Sequence, residues 1–413
     1  MARKMKDSGI EWIGEIPEEW SKNKVIRLFD IIGSGTTPKN ITSDFPVVNW
    51  IQSGDITGSF MPTCKNVISA NLLSQYSALK VYPAPFIIIA MYGASVGNAS
   101  ISLIDGCVNQ ACCVLSSPSC NLHYAFYVIK SAQSYLVRKA VGGGQPNISQ
   151  ETIKQLWLPL PPLSTQDIIV RNLDATCSKI DDLLSSVHAS IEEYKKLKQA
   201  VITLAVTKGV RGEREMKDSG VEWIGKVPSK WNCIKIKYLF EIRKRIAGKE
   251  GYTVLSITQT GIKPKNISSN EGQLADSYSN YQLLHFGEFA MNHMDLLTGW
   301  VDISNYNGVT SPDYRVFSLK DTITNHPRYF LYLMQMCYFN RIFYSMAQGV
   351  SSLGRWRLQS DKFLNCIFPV PSIEEQKEIS AYLDTTCSEI DKLIAKKEQL
   401  VKELESYKKS LIY

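Results

Sequence analysis

Two polar loops hold the side chains best suited to recognition chemistry. Residues 142–147 (GGGQPN) offer Gln145 and Asn147, and residues 349–357 (GVSSLGRWR) offer Ser351, Arg355 and Arg357. A side-chain amide matches the N6/N7 edge of adenine, and a guanidinium matches guanine O6/N7 or a phosphate oxygen. Each loop precedes a strand and a proline-rich stop, so the two occupy equivalent places. Any one of these residues alone would pass for an ordinary loop side chain; the matched pair of loops is the stronger observation. Further polar turns widen the candidate set: Ser53 in QSGD, Tyr92 and Ser95 in YGASVG, Asn292 in NHMD, and Tyr314 with Arg315 in SPDYR.

Bond-making chemistry leaves no comparable trace. Gly33-Ser34-Gly35 lacks GxxxxGK[ST], and no GxGxxG opens a helix. No Asn/Asp-Pro-Pro-aromatic tetrad is present to hold an extruded base, and Pro312-Asp313 is not followed by a (D/E)xK within a plausible window. The hydroxyl, thiol and imidazole groups form no nucleophile constellation. Five histidines are scattered and ten cysteines make no CxxC, so no metal site is assigned. The expectation is a chain without a reaction centre of its own.

The elements that position these loops come from an internal repeat. Residues 5–20, MKDSGIEWIGEIPEEW, return at 216–231 as MKDSGVEWIGKVPSKW, with 11 of 16 positions identical. Residues 159–203 align without gaps with 369–413, an offset of 210, with 15 identities in 45. The stretches between, 21–158 and 232–368, show little similarity. A constant frame therefore presents two different inserts.

Each half ends in a predicted long helix. Prolines in PLPP (159–162) and PVP (369–371) separate insert from helix, because proline cannot continue a ladder. Ser164-Thr165-Gln166 and Ser372-Ile373-Glu374-Glu375 supply N-caps. Apolar residues then recur every seven: Leu173, Ile180, Val187, Tyr194 and Val201, interleaved with Leu183, Leu197 and Leu204. The second helix has Leu383, Ile390, Leu404 and Leu411, interleaved with Leu393, Leu400 and Tyr407. Lys397 breaks that stripe. Such a narrow seam is that of a coiled coil, and the simplest arrangement pairs the two helices antiparallel.

The inserts read as short strands. In the first, residues 45–51, 86–91, 99–103 and 111–115 are β-prone, with a helix over 122–141. In the second the strands are 253–258, 288–292 and 314–319, with a helix near 327–344. The fold class is thus α+β, two β-rich globular domains joined by two long antiparallel coiled-coil helices in a pseudo-two-fold internal repeat.

Bulk composition fits this frame. A chain of 413 residues exceeds what one hydrophobic core holds. The net charge of +7 divides evenly, +3 in residues 1–210 and +4 beyond, which permits a polyanionic partner without demanding one. The first residues lack an apolar signal region, and the most apolar run, 86–91, is too short to span a bilayer. A cytoplasmic location in a reducing compartment is expected. From the residues alone three readings stay open: a DNA-binding scaffold, a free-standing DNA-modifying enzyme, and a coiled-coil adaptor that does not bind DNA.

The order of parts resembles the DNA-specificity subunit of Type I restriction-modification systems. The resemblance rests on KDSGIEWIGEIPEEW and its second copy, on PLPPLSTQ and PVPSIEEQ, and on IIIAMYGASVGNASI and FAMNHMDLLTGWVDIS. It spans essentially the whole chain. It implies two target-recognition domains, 1–160 and 209–370, each reading half of a bipartite double-stranded DNA site. It implies conserved helices at 161–208 and 371–413 that set the spacer. Two modification (methyltransferase) subunits, binding S-adenosylmethionine and methylating adenine, would dock on the helices and opening motifs. Candidate docking residues are Trp12, Trp20, Trp223, Trp231, Tyr194 and Tyr407. Restriction (endonuclease/translocase) subunits would join with ATP and Mg2+. No cofactor is expected on this chain itself.

Overall fold

The computed structural model describes residues 3–39, 41, 43–141, 146–267, 275–349 and 356–412. Its two compact units are Met1–Ser186 with Leu400–Tyr413, and Val187–Gln399. Each long helix is therefore divided: the central helix, Leu163–Lys208, and the terminal helix, Ile373–Ile412.

In the first unit a five-stranded sheet runs in the order Phe29–Gly33, Cys112–Pro118, Phe86–Ala90, Ala99–Ser102 and Phe60–Met61. Period-two alternation divides its side chains between two cores. Ile87, Ile89, Cys113 and Leu115 face Leu122–Ser131, while Phe86, Ile88, Cys112 and Val114 face the other way with Ile51 and Tyr82. Both faces are covered, which is why Phe86–Ala90 is buried throughout. The helix expected over 122–141 is two helices, Leu122–Ser131 and Gln133–Lys139, parted at Ala132.

The second unit repeats the plan with a four-stranded sheet: Phe240–Arg243, Arg315–Leu319, Phe289–Met291 and Val301–Ile303. One face packs on Pro327–Phe339 through Phe289, Met291 and Phe317; the other packs on Leu255, Ile257 and Ile262. Here too the expected single helix breaks, at Asn340-Arg341, where Arg341 has a left-handed φ of 57°.

The opening motif is a hairpin in both copies. Met5–Asp7 pairs with Glu15–Pro17, and Met216–Asp218 pairs with Lys226–Pro228. The chain then enters a second ladder that corrects the expected role of the prolines. Trp157–Leu160 pairs with Ser21–Lys24, and Ile367–Val370 with Asn232–Lys235, so Pro159 and Pro369 lie within strands. A two-stranded ribbon tolerates them because each strand has one edge that needs no N–H. Tyr124 and Tyr329 donate their hydroxyls to the Pro159 and Pro369 carbonyls at 2.9 and 2.8 Å.

The caps also differ from expectation in one half. Ser372 caps the terminal helix, its Oγ accepting from the Glu375 N–H at 3.4 Å. The central helix starts at Leu163, so Ser164 lies inside the first turn. Buried Gln166 instead donates to the Pro161 carbonyl at 2.8 Å and accepts from the Asn121 N–H at 2.9 Å. Gln376 does the same with Pro371 and His326 at 2.9 and 2.8 Å.

Along the helices the seam alternates three and four. Leu173, Cys177, Ile180, Leu184, Val187 and Ile191 are buried or half-buried, whereas the interleaved set named above is exposed: Leu183, Leu197, Leu204, Leu393, Leu400 and Tyr407. The antiparallel pairing holds within each unit. Asp181 meets Lys408 in the first, and Lys198 meets Asp391 in the second. Lys397 does not disrupt the seam; its ammonium lies 5.6 Å from the Tyr194 ring centroid, a cation–π contact.

Candidate nucleic-acid interface

At one end of the first sheet several chain reversals meet. The turn after Phe86–Ala90 carries Tyr92 and Ser95; Gly93 and Gly97 turn it with φ of +74° and +79°, a region that favours glycine. Tyr92 is exposed and bridges to exposed Asn147, with Gly93 N–H donating to the Pro146 carbonyl at 3.0 Å. Ile148 N–H donates to Met91 at 2.9 Å, which fixes that approach. Tyr92, Ser95 and Asn147 are thus brought together; Gln145 lies outside the described residues.

Ser53 opens a single 3-10 turn, Ser53–Asp55, closed by reciprocal bonds between Gln52 and Asp55. It reaches the same sheet end because Asn109 N–H donates to the Ile51 carbonyl at 3.0 Å and Met91 N–H to Ala111 at 2.7 Å. The loop after Phe29–Gly33 arrives there as well. Ser34 Oγ donates to the Cys112 carbonyl at 2.7 Å, and exposed Thr37 donates to exposed Gln110 at 2.6 Å. Gly35 is obligatory: a Cβ there would stand 1.7 Å from the Val108 carbonyl oxygen. Thr37 and Gln110 escaped the sequence reading. Nothing local in the sequence announces that residue 37 folds against residue 110.

The second unit builds its rim differently. Asn292 is half-buried, its Oδ1 accepting from the Met294 and Asp295 N–H groups at 3.2 and 3.3 Å. Gly299 closes that loop onto Asp295, where a Cβ would stand 2.0 Å from the carbonyl oxygen. Tyr314 is half-buried beside it, and buried Gln282 donates to the Ser311 and Tyr314 carbonyls at 2.8 and 2.5 Å.

Arg315 is not a surface contact, contrary to expectation. It is 4% exposed, donates to the Leu358 carbonyl at 2.9 Å and to Ser360 Oγ at 3.3 Å, and lies 4.7 Å over the Phe363 ring. Burial lowers its pKa from 12.5 to about 10. Its register opposite Met291 turns it inward, where it ties the sheet end to the segment bearing Arg357. Arg357 itself is exposed, in a short ladder opposite Gln348. Ser351 and Arg355 lie outside the described residues. His293, buried under this rim, has its pKa pushed down to about 3 by burial and then by the charges of Arg315 and Arg357.

The ladder registers define equivalent positions in the two units. Ala90 faces Cys112 in one and Ala290 faces Val316 in the other. Counting outward, Tyr92 corresponds to Asn292 and Gln110 to Tyr314. The two ladders share this register while the rim residues differ.

Of the six expected docking residues one is buried, four are half-buried and one is exposed. Trp231 is fully buried and donates to Glu375 at 3.0 Å; Arg214 joins the same carboxylate at 2.5 Å. Trp12 is half-buried 6.3 Å from Tyr135, and Trp223 is half-buried edge-on to Phe368 at 6.3 Å. Trp20 is also half-buried, and Tyr194 lies in the helix seam. Tyr407 alone of the six is exposed, at 53%. Among the described residues no group of His, Cys, Asp and Glu is arranged to hold a metal, and no helix is long and apolar enough to cross a membrane. All ten cysteines are free, and burial raises Cys107 to about 11 and Cys113 to about 12.

A duplicated helical frame carrying two divergent loop rims defines a class of paired recognition proteins. The chain belongs to the family of the Type I restriction modification DNA specificity domain, whose model matches it twice, over residues 17–193 and 228–403. It is 24% identical over 303 residues to the MjaVIII specificity subunit, a Type I restriction enzyme subunit of Methanocaldococcus jannaschii, covering 70% of this chain and 68% of that protein. It is 21% identical over 399 residues to the EcoBI specificity subunit of Escherichia coli, covering 88% and 82%. A chain from a solved type I R-M system, in work on its complex assembly and conformational transition, shares the fold. There the TM-score is 0.71 at 14% identity, covering 96% of this chain and 97% of that one. The HsdS subunit from Thermoanaerobacter tengcongensis matches with a TM-score of 0.52 at 14% identity, covering 96% of each chain.

Proposed function

We propose that this chain reads DNA for a Type I restriction-modification assembly, each domain recognising one half of a bipartite double-stranded site. The observation that carries this reading is the contrast between frame and rim. The family model matches twice, while equivalent ladder positions hold Tyr92 against Asn292 and Gln110 against Tyr314. Two half-sites of different sequence need that combination. Ser53, Tyr92, Ser95, Gln145 and Asn147 read the first half, and Asn292, Tyr314, Ser351, Arg355 and Arg357 the second.

In this reading the helices set the length of the unread spacer and dock two modification subunits, through the exposed leucines and Tyr407 rather than through the tryptophans, which stiffen the hairpins. The modification subunits hold S-adenosylmethionine and methylate adenine. Restriction subunits, using ATP and Mg2+, join the same assembly in the cytoplasm. This chain contributes recognition and no reacting group.

The test is the methylation pattern of the host genome with and without the chain. A bipartite methylated motif that disappears on deletion supports the reading; an unchanged pattern overturns it. Inserting one heptad within residues 180–200 should alter the spacer and leave both half-sites intact. Methyl transfer to DNA by the purified chain alone would instead favour a free-standing enzyme.

A further inference from the structure

We propose that Gln110, held in place by Thr37, is a specificity-determining residue that reads an adenine in the first half-site. The inference rests on the DNA-reading function above and adds a residue and a base to it. Gln110 stands at the apex of a turn closed by Cys112 N–H donating to the Asn109 carbonyl at 3.2 Å and by Ala111 N–H donating to Asn109 Oδ1 at 3.1 Å. That turn lies at the sheet end where Tyr92 and Asn147 also emerge.

A glutamine at the tip of a turn ordinarily samples many rotamers. Here three features remove that freedom. Gly35 brings its backbone against the Val108 carbonyl, in a space no Cβ could enter. The Ser34 hydroxyl binds the Cys112 carbonyl at 2.7 Å, and Tyr82 Oη binds the Ser34 carbonyl at 3.0 Å, which pins the loop beneath. Thr37 then donates its hydroxyl to Gln110 Oε1 at 2.6 Å, across 73 residues of chain.

The bond to Thr37 selects what the amide still offers. An amide oxygen has two lone pairs and the nitrogen two N–H donors. With one lone pair taken, a single acceptor and a donor pair remain, in a fixed plane. A donor beside an acceptor is the complement of adenine N7 and N6 in the major groove, the pairing that glutamine and asparagine make bidentately. Fixing the amide before binding lowers the ordering cost that a free side chain would incur. A phosphate contact would use the donors alone and would not need the oxygen oriented. The second domain has Tyr314 at the equivalent place, so it reads its own half-site by other means.

The experiment uses the full chain assembled with its modification subunits, on duplexes containing the methylated motif. Each adenine of the first half-site is replaced in turn by 7-deazaadenine, which lacks the N7 acceptor. The wild-type complex should lose about tenfold to a hundredfold in affinity at one of these positions. In Gln110→Ala the starting affinity falls by a similar factor and that substitution no longer matters, while the second half-site profile is unchanged. Thr37→Val gives a smaller loss confined to the same position. The assignment is overturned if Gln110→Ala keeps the wild-type profile, if it weakens every duplex evenly, or if the first half-site contains no adenine. A wild-type complex that does not distinguish its motif from random duplex would overturn the DNA-reading function itself.

Discussion

Lys408 donates to both carboxylate oxygens of Asp181, at 2.5 and 2.7 Å. Advancing Asp181 by the repeat offset of 210 gives Asp391, and retreating Lys408 by the same step gives Lys198. Those two also pair, with both distances 2.7 Å. The same bond thus recurs within each unit with the helices exchanging roles. The residues are among the few identities between the helices, so the duplication preserved a register. Because Asp181 and Asp391 are more than half exposed, each pair should be worth little. A double-mutant cycle of Asp181→Asn with Lys408→Met should return a coupling of about 0.2–1 kcal/mol in urea unfolding. A coupling indistinguishable from zero would mean the pair marks the register without enforcing it.

The buried glutamines are worth more. Gln376 is fully buried, donates to the Pro371 carbonyl and accepts from the His326 N–H, so it links three segments at the start of the terminal helix. Gln376→Leu fills the space but leaves a buried donor and acceptor unpaired. Destabilisation of about 1–3 kcal/mol is expected for each group left unsatisfied. Gln166→Leu should behave alike in the first unit. A urea midpoint unchanged by either substitution would refute this account.

What the sequence revealed follows from the range over which each signal acts. Leu173, Ile180 and Val187 announce a seven-residue period because the helix repeats itself locally. The second half of the seam did not stand out: Leu183 and Leu184 are adjacent and chemically identical, and only the partner helix decides which is covered. Pro159 reads as a strand breaker until the ribbon edge that spares its missing N–H is known. Arg315 has the residue type of a DNA contact, yet ladder register turns it inward onto Phe363. Thr37 and Gln110 meet through a fold spanning 73 residues, a distance no local pattern encodes.

Arg315 and Arg357 should therefore separate stability from binding. Arg315→Ala removes a cation–π contact and a donor to the buried Leu358 carbonyl, for a loss of about 2–4 kcal/mol. Arg357→Ala removes an exposed side chain and should stay within about 0.5 kcal/mol of wild type. Its effect is expected in DNA affinity. Thermal unfolding and titration of the assembled complex with duplex measure the two separately. Equal loss of stability in both variants would contradict the division.

The exposed leucines make a parallel case. Leu183 is 53% and Leu393 is 41% exposed, yet they are identical across the repeat in helices where most positions differ. A leucine kept at a solvated position in both copies serves something outside its own unit. The double variant Leu183→Ser, Leu393→Ser should unfold within about 1 kcal/mol of wild type. Its complex with the modification subunits should weaken, read as free chain in size-exclusion chromatography. Unimpaired assembly would assign the docking surface elsewhere.

His293 gives the second unit a pH dependence of its own. Buried beneath the rim, it takes up a proton only near pH 3 in the folded chain, against 6.5 for an unhindered histidine. Burial is the main cause, followed by the positive charges of Arg315 and Arg357. Because the folded value is the lower one, the unfolded chain binds more protons between these limits. The contribution to stability is complete above pH 6.5 and drains away as pH falls toward 3, at no more than about 1.4 kcal/mol per pH unit. Most carboxylates titrate below pH 5, so the window from 6.5 to 5 belongs to the imidazoles; His326, also lowered by burial, adds a slope that wild type and variant share. His293→Asn keeps a polar side chain without the titration. Its unfolding free energy in urea should be flatter than that of wild type across this window, and parallel curves would rule out His293 as the source.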